Sequence, residues 1–554
     1  MSASMKMITS ICEGTSYKEM CARSLESAAK NSSATAKDYL LAAIHATVEE
    51  VKKGLEATGK VSVNKEADRS SHLAVEECKN FLDSALDSLN DTITSVMDST
   101  THTLEERAHE LLSWVTAVHA LHTTCLEFIT NPEIKSAVEN GINNATQLAH
   151  NAVNIIADLP EILSLFGLSN NDESSPSPSP SPSRRRLLLT DDGFPTWFSA
   201  ADRKLLGKHN KGGGGSKGNK NKNNDHNGKD NTVYVANIAN IKPNVVVAKD
   251  GSGNFKRISE AIAAYPANNN GRFIIYVKAG VYDEQVIIDK KKPNIFMYGD
   301  GIGKTIVTGN RIAGKNLDPS TTFSNEAFGF IARGMTFRNE AGPQGHRAVA
   351  FRSKGDKVAL FDCSFEGNQD TFYYQVLRQF YRNCVIYGTI DFIFGKGDAV
   401  IQDSDIIVRK PMPNQFNTIT ADGKDIEKGS NGLVLHHCRI RPDNYLYPVR
   451  FDIKTYLGRP WSANALTVFM KCELADFIRP EGFRVWDNAQ NHKTCQMFEF
   501  GNTGPGNKTD RRDSKNFSHW RVISPEEAAK YTPGQFIMGH DWLPQTGFPN
   551  RLGL

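Results

Sequence analysis

The 554-residue chain has no run of eighteen or more apolar residues, so nothing in it reads as a membrane-spanning helix. It also has little net charge. Its 65 basic and 62 acidic side chains leave +3, too little to suggest a nucleic-acid partner. The first residues, MSASMKMITSIC, lack the apolar core of a signal peptide. Cysteine is missing from the whole middle of the chain. Cys12, Cys21, Cys78 and Cys125 precede the gap, and Cys363, Cys384, Cys438, Cys472 and Cys495 follow it. That gap implies two modules. What remains is ordinary globular composition, 39% hydrophobic and 23% charged. Glycosylation sequons begin at Asn31, Asn90, Asn144, Asn507 and Asn516. Together with paired cysteines they favour a secretory route, with a targeting segment ahead of the residues in hand.

Residues 8–165 carry apolar residues at helical spacing over Tyr39–Leu55, Leu73–Met97, Leu104–Ile129 and Ile134–Leu159. Asp38 is a candidate N-cap, and Pro132–Glu133 opens the last helix. Four long amphipathic helices with short joins predict an all-α up-down bundle. Pairings Cys12–Cys21 and Cys78–Cys125 are expected, although four cysteines allow three connectivities. No cluster of titratable residues suggests chemistry here.

Residues 166–240 read as a disordered linker. SSPSPSPSPS is low-complexity, and residues 207–230 are too rich in Gly, Lys and Asn to bury a core. Two basic-dileucine clusters, Arg184–Leu189 and Arg203–Leu206, stand between the modules as accessible protease sites.

From residue 241 to 554 the pattern turns to short β-rich runs: Asn244–Ala248, Phe273–Val277, Gln285–Ile288, Ile295–Gly299 and Thr305–Thr308. A short helix, Ile258–Tyr265, caps the first turn. LFDCSF, YRNCVI, IQDSDI, LHHCRI and FMKCEL place equivalent residues at 363, 384, 404, 438 and 472. Coils of about twenty residues with longer loops on one side predict an all-β parallel β-helix. Stacked coils would make Cys363 and Cys384 neighbours and bring their Cα atoms, about 4.8 Å apart, within disulfide range. Cys438–Cys472 is also available on this ladder, leaving Cys495 as the free thiol.

Asp370 and Asp391 share the 21-residue interval of Cys363 and Cys384. Both lie among aromatics, in GNQDTFYYQ and GTIDFIFG. A lone aspartate beside glycine is ordinarily a turn residue. Two on stacked coils would repel, a cost usually tolerated for function. Such a pair suits nucleophilic or general acid/base catalysis, a glycosidase pair or a metal site. Spacing alone does not choose.

The wider motifs do. VVVAKDGSGNFKRISEAI, YVKAGVYDE, GFIARGMTFRNEAGP, HRAVAFRS, GNQDTFYYQ, GTIDFIFG and TYLGRPW resemble the pectin methylesterase family, in that family's order and over nearly the whole module. CEGTSYKEMC, AVEECKNFLDSALDSL and SWVTAVHALHTTC resemble its inhibitor family. The resemblance implies a right-handed β-helix that demethylates cell-wall pectin without cofactor or metal. It implies Asp391 as nucleophile, Asp370 as acid and then base, Gln369 as oxyanion donor and Arg459 as the orienter of Asp391. Thr322, Phe323 and Trp461 match residues lining the sugar cleft. The linker clusters, through Arg185–Leu188 and Arg203–Leu206, resemble pro-region processing motifs. Implied partners are pectin, the chain's own inhibitor-like module and a processing protease; the implied location is the extracellular wall. Three positions depart from the family pattern. Arg347 replaces an oxyanion-donating glutamine in the cleft, Asn368 a tyrosine, and Phe483 a cleft tryptophan. TTFSNEAFGFIA is also shorter than its counterpart. These departures frame an alternative, a pectin-binding homologue impaired in turnover. A chain-cleaving lyase or polygalacturonase on a similar β-helix is a third reading.

Overall fold

The computed structural model describes residues 3–64, 68–167, 241–269, 271–313, 320–487 and 490–554. The processing positions Arg185, Leu188, Arg203 and Leu206 lie outside them.

Short helices at Ala3–Cys12 and Lys18–Ala29 precede four long ones: Ala36–Gly59, Arg69–Asp98, Ala108–Phe128 and Pro132–Ala157. The cap of the first long helix is Thr35 rather than Asp38. Asp38 sits at the third helical position and completes a capping box with the Thr35 backbone. A second capping box at Thr100 starts a separate turn, Thr101–Glu106, so the expected helix from Leu104 is broken at Arg107. Asn131 caps the last long helix, with Pro132 in the first turn. Disulfides join Cys12 to Cys21 and Cys78 to Cys125. The second closes a sequence separation of 47 residues between two long helices.

The second module winds into three parallel sheets of 11, 8 and 7 strands among the described residues. Ladder pairs Ser364↔Val385, Val385↔Asp405, Asp405↔Arg439 and Arg439↔Glu473 place positions 363, 384, 404, 438 and 472 one above another. Each follows a residue in the left-handed region: Asp362, Asn383, Asp403, His437 and Lys471, with φ between 48° and 56°. Asp and Asn tolerate that conformation better than most residues, so the corner of each coil is written in sequence. Stacked phenylalanines, among them Phe323, Phe351 and Phe372, fill the interior. The main β-helix core contains no residue of the helical bundle.

One expectation is corrected. Cys363 and Cys384 are stacked but remain thiols, as do Cys438, Cys472 and Cys495. A disulfide requires converging Cβ vectors as well as close Cα atoms, and stacked inward positions point in parallel. The sulfurs face backbone carbonyls instead, Cys363 Sγ at 3.4 Å from Phe361 O and Cys384 Sγ at 3.3 Å from Arg382 O.

The bundle lies on the outer face of the seven-stranded sheet, sharing one apolar cluster with Val349, Tyr373, Phe394, Ala421 and Ile426. Around that cluster the bundle offers carboxylates and the β-helix offers cations. Glu77 meets Arg352 at 3.2 Å, Glu110 meets Arg378 at 3.0 Å, Glu127 meets Lys396 at 2.9 Å, and Asp158 meets Lys428 at 2.6 Å.

Candidate active site

Asp370 and Asp391 occupy equivalent places on successive coils, just ahead of paired strands Phe372–Tyr374 and Ile393–Gly395. Both are left-handed, with φ of 58° and 49°. That twist at a non-glycine residue is uncommon and marks a backbone held by its surroundings. Both are 6% exposed.

Their environments differ. Asp391 is clamped by Arg459, with Nε donating to Oδ1 at 2.9 Å and Nη2 to Oδ2 at 2.6 Å. The Thr418 hydroxyl adds a third donor to Oδ1 at 2.6 Å. Such a charge-assisted fork fixes the plane of the carboxylate. Asp370 lies outside that fork, and burial together with the Asp391 charge pushes its pKa well above the usual carboxylate range. The positive charges of Arg347 and Arg459 oppose that rise without cancelling it. A carboxyl raised in this way, beside one fixed by a fork of donors, can take the role of acid while its neighbour serves as nucleophile.

Gln369 is half-buried beside Asp370 and forms a parallel bridge with Arg347. Arg347 therefore sits one coil before the pair, close enough to act on Asp370. Trp461 packs near Phe394, with ring centroids 6.1 Å apart, and under the Lys396 ammonium at 5.0 Å.

Two family-derived expectations do not hold. Phe323 is fully buried and stacks in the β-helix interior between Phe337 and Phe351. The strand alternates, so the outward neighbour is Ser324, which accepts from Arg352 Nε at 3.1 Å. Thr322, one residue before that strand, is 1% exposed in the uncut chain, and its burial there matches that of Tyr373 on the same face. Phe483 is also a core residue, packed on Phe469 and Phe517. The tryptophan beside Arg459 is Trp486, whose ring lies 4.1 Å from the guanidinium carbon. The signal was the second aromatic of FRVW, three residues on. Sequence reasoning also missed Thr418 and Tyr373. Tyr373 stacks on Phe394 at 4.3 Å.

The pH consequence of Asp370 can be signed. Its folded-state pKa is raised, so the folded chain keeps a proton that the unfolded chain loses. Stability therefore falls as pH rises from about 4 through the raised value. Asp370→Asn should raise Tm by a few degrees at pH 7.5 and leave it unchanged below about pH 4. Thermal scans at both pH values check this.

The fold and paired carboxylates define a β-helix with a buried acid–carboxylate site beneath a helical cover. Comparison with known proteins narrows that class. The Pectinesterase model matches residues 244–540, and the Plant invertase/pectin methylesterase inhibitor model matches residues 6–155. Pectinesterase 4 of Arabidopsis thaliana is 38% identical over 583 residues, covering 100% of this chain and 94% of that protein. A probable pectinesterase/pectinesterase inhibitor of Brassica napus is 37% identical over 560 residues, covering 99% and 93%. Among solved structures, pectin methylesterase from carrot is 42% identical, with a TM-score of 0.56, and covers 57% of this chain and 99% of its own. The chain belongs to the pectinesterase family, and is a carboxylic ester hydrolase with an inhibitor-family module ahead of it. Among the described residues no helix is long and apolar enough to cross a membrane.

Proposed function

We propose that the β-helix hydrolyses galacturonate methyl esters of pectin to pectate and methanol, and that the bundle holds it inactive until the linker is cut. The asymmetric carboxylate pair carries this reading. The Asp391 carboxylate, fixed by Arg459 and Thr418, attacks the ester carbonyl. The C–OCH3 bond breaks, and the proton of Asp370 goes to the departing oxygen. The Asp370 carboxylate then takes a proton from water, whose oxygen attacks the acyl carbon and frees Asp391. Gln369 offers an amide to the oxyanion, a donation typically worth about 2.7–4 kcal/mol. The bundle supports the inhibitory half of the reading, because it shares one apolar cluster with Tyr373 and Phe394, three residues beyond the pair, against which Trp461 and Trp486 also pack. The linker clusters at Arg185–Leu188 and Arg203–Leu206 would serve a processing protease, and the wall is the compartment where substrate and processed enzyme meet.

Residues 241–554 incubated with methylated pectin should release methanol without loss of viscosity. A fall in viscosity without methanol would instead mean chain cleavage. A second reading, impaired turnover, is favoured by the Arg347 charge acting on Asp370. It requires Arg347→Gln to speed methanol release; an unchanged rate removes it.

A further inference from the structure

The seven-stranded sheet carries an outward row beside the catalytic pair. In register it runs Ser324, Arg352, Tyr373, Phe394 and Ala421. Tyr373 and Phe394 are three residues beyond Asp370 and Asp391, about 10 Å along the strands. Arg352 is one coil from Tyr373 and continues the aromatic platform with a cation. Lys354, two residues on, points the same way by alternation.

Both cations are buried, Arg352 at 2% and Lys354 at 5%. They share the β-helix carboxylate of Glu326, at 3.0 Å from each. The second carboxylate they meet comes from the bundle. Glu77 lies 3.2 Å from Arg352 Nη2 and 3.9 Å from Lys354 Nζ, and the bundle's Phe81 ring covers the same ammonium at 5.1 Å. Lys396 differs, because a single cation there faces both its own Asp425 and the bundle's Glu127. Burial raises the Glu127 pKa, so that contact holds a carboxylate poorly.

We propose that Arg352 and Lys354 form a subsite for the free carboxylate of a de-esterified galacturonate, and that Glu77 occupies it in the uncut chain as a mimic of the product. A sugar stacked on the Tyr373–Phe394 platform would present its neighbour's C6 group to this corner. A carboxylate gains two charge-assisted bonds there, whereas a methyl ester offers a weak neutral acceptor. The enzyme would therefore prefer a stretch in which one residue is already demethylated. This inference rests on the esterase reading above.

The test uses residues 241–554, whose main core is free of bundle residues; the match to the carrot enzyme covers 57% of this chain and 99% of that one. In an Asp391→Ala background, which blocks turnover, calorimetry compares tetragalacturonate with its fully methyl-esterified form. Lys354→Gln and Arg352→Gln should each weaken the acid tetramer about tenfold and the ester less than about twofold. Arg352 also donates to Ser324 within the sheet, whereas Lys354 follows the strand Phe351–Ser353, so its variant keeps the test standing should Arg352→Gln fold poorly. Equal losses for both tetramers, or no loss for either, overturn the subsite. Methanol release by the unmutated fragment is read in parallel. A silent fragment that still binds the acid tetramer through these cations overturns the esterase reading and leaves the subsite in place.

Discussion

Asp391→Ala should lower methanol release by residues 241–554 by about four orders of magnitude or more, with the fold retained. The size follows from the role. Removing a nucleophile leaves only binding and oxyanion stabilisation, and comparable losses in other hydrolases run to about 10⁴–10⁶. Retention of fold follows from position. The Asp391 carboxylate is held by Arg459 and Thr418 outside the β-helix core, while its neighbours Phe392 and Ile393 make that core. The substitution leaves the Arg459 guanidinium without its partner, but that group still lies over Trp486 and within 3.8 Å of Asp487. Circular dichroism with a methanol assay checks both halves. Activity within tenfold of the parent would remove Asp391 from the nucleophile's role.

Glu110→Lys in the uncut chain should open the cover without any cleavage. Arg378 is 1% exposed and bonded bidentately to Asp356, with Nε to Oδ1 at 3.0 Å and Nη2 to Oδ2 at 2.5 Å. Glu110 from the bundle completes this cluster and also reaches Lys357 at 3.2 Å. Burial opposes the Glu110 charge, but Arg378 and Lys357 overcome it and hold its pKa down to about 2. Its contribution is therefore present above the ordinary glutamate value and is lost only as pH falls toward about 2. Breaking a buried pair of this kind costs about 3–5 kcal/mol, or roughly two to three and a half decades in the closed-to-open ratio. Charge reversal adds repulsion between the introduced ammonium and both β-helix cations, Arg378 and Lys357. Methanol release by the uncut variant should rise at least a hundredfold over the uncut parent. Unchanged release would mean that the bundle's acidic contacts do not hold the site closed.

The architecture was legible because its grammar is local. Helical periodicity marked the bundle, and the recurring position at 363, 384, 404, 438 and 472 marked the coils. The carboxylate pair was legible for the same reason, since Asp370 and Asp391 ride on that repeat. Errors came where direction mattered more than spacing. Phe323 and Phe483 lie in motifs of the right kind, yet both turn inward to the core. Cys363 and Cys384 have the right interval, yet they stay unpaired thiols because their side chains run parallel. Thr418 and Trp486 reach the site from loops and strands far along the chain, and no short-range pattern announces such partners. The face joining the two modules was equally invisible, because Glu77 and Arg352 are 275 residues apart.

The most direct test is methanol release from methylated pectin by equal amounts of uncut chain and residues 241–554. The expected result is a working fragment and an uncut chain at least a hundredfold slower. A folded fragment that releases no methanol at any pH, or an uncut chain as fast as the fragment, would contradict it.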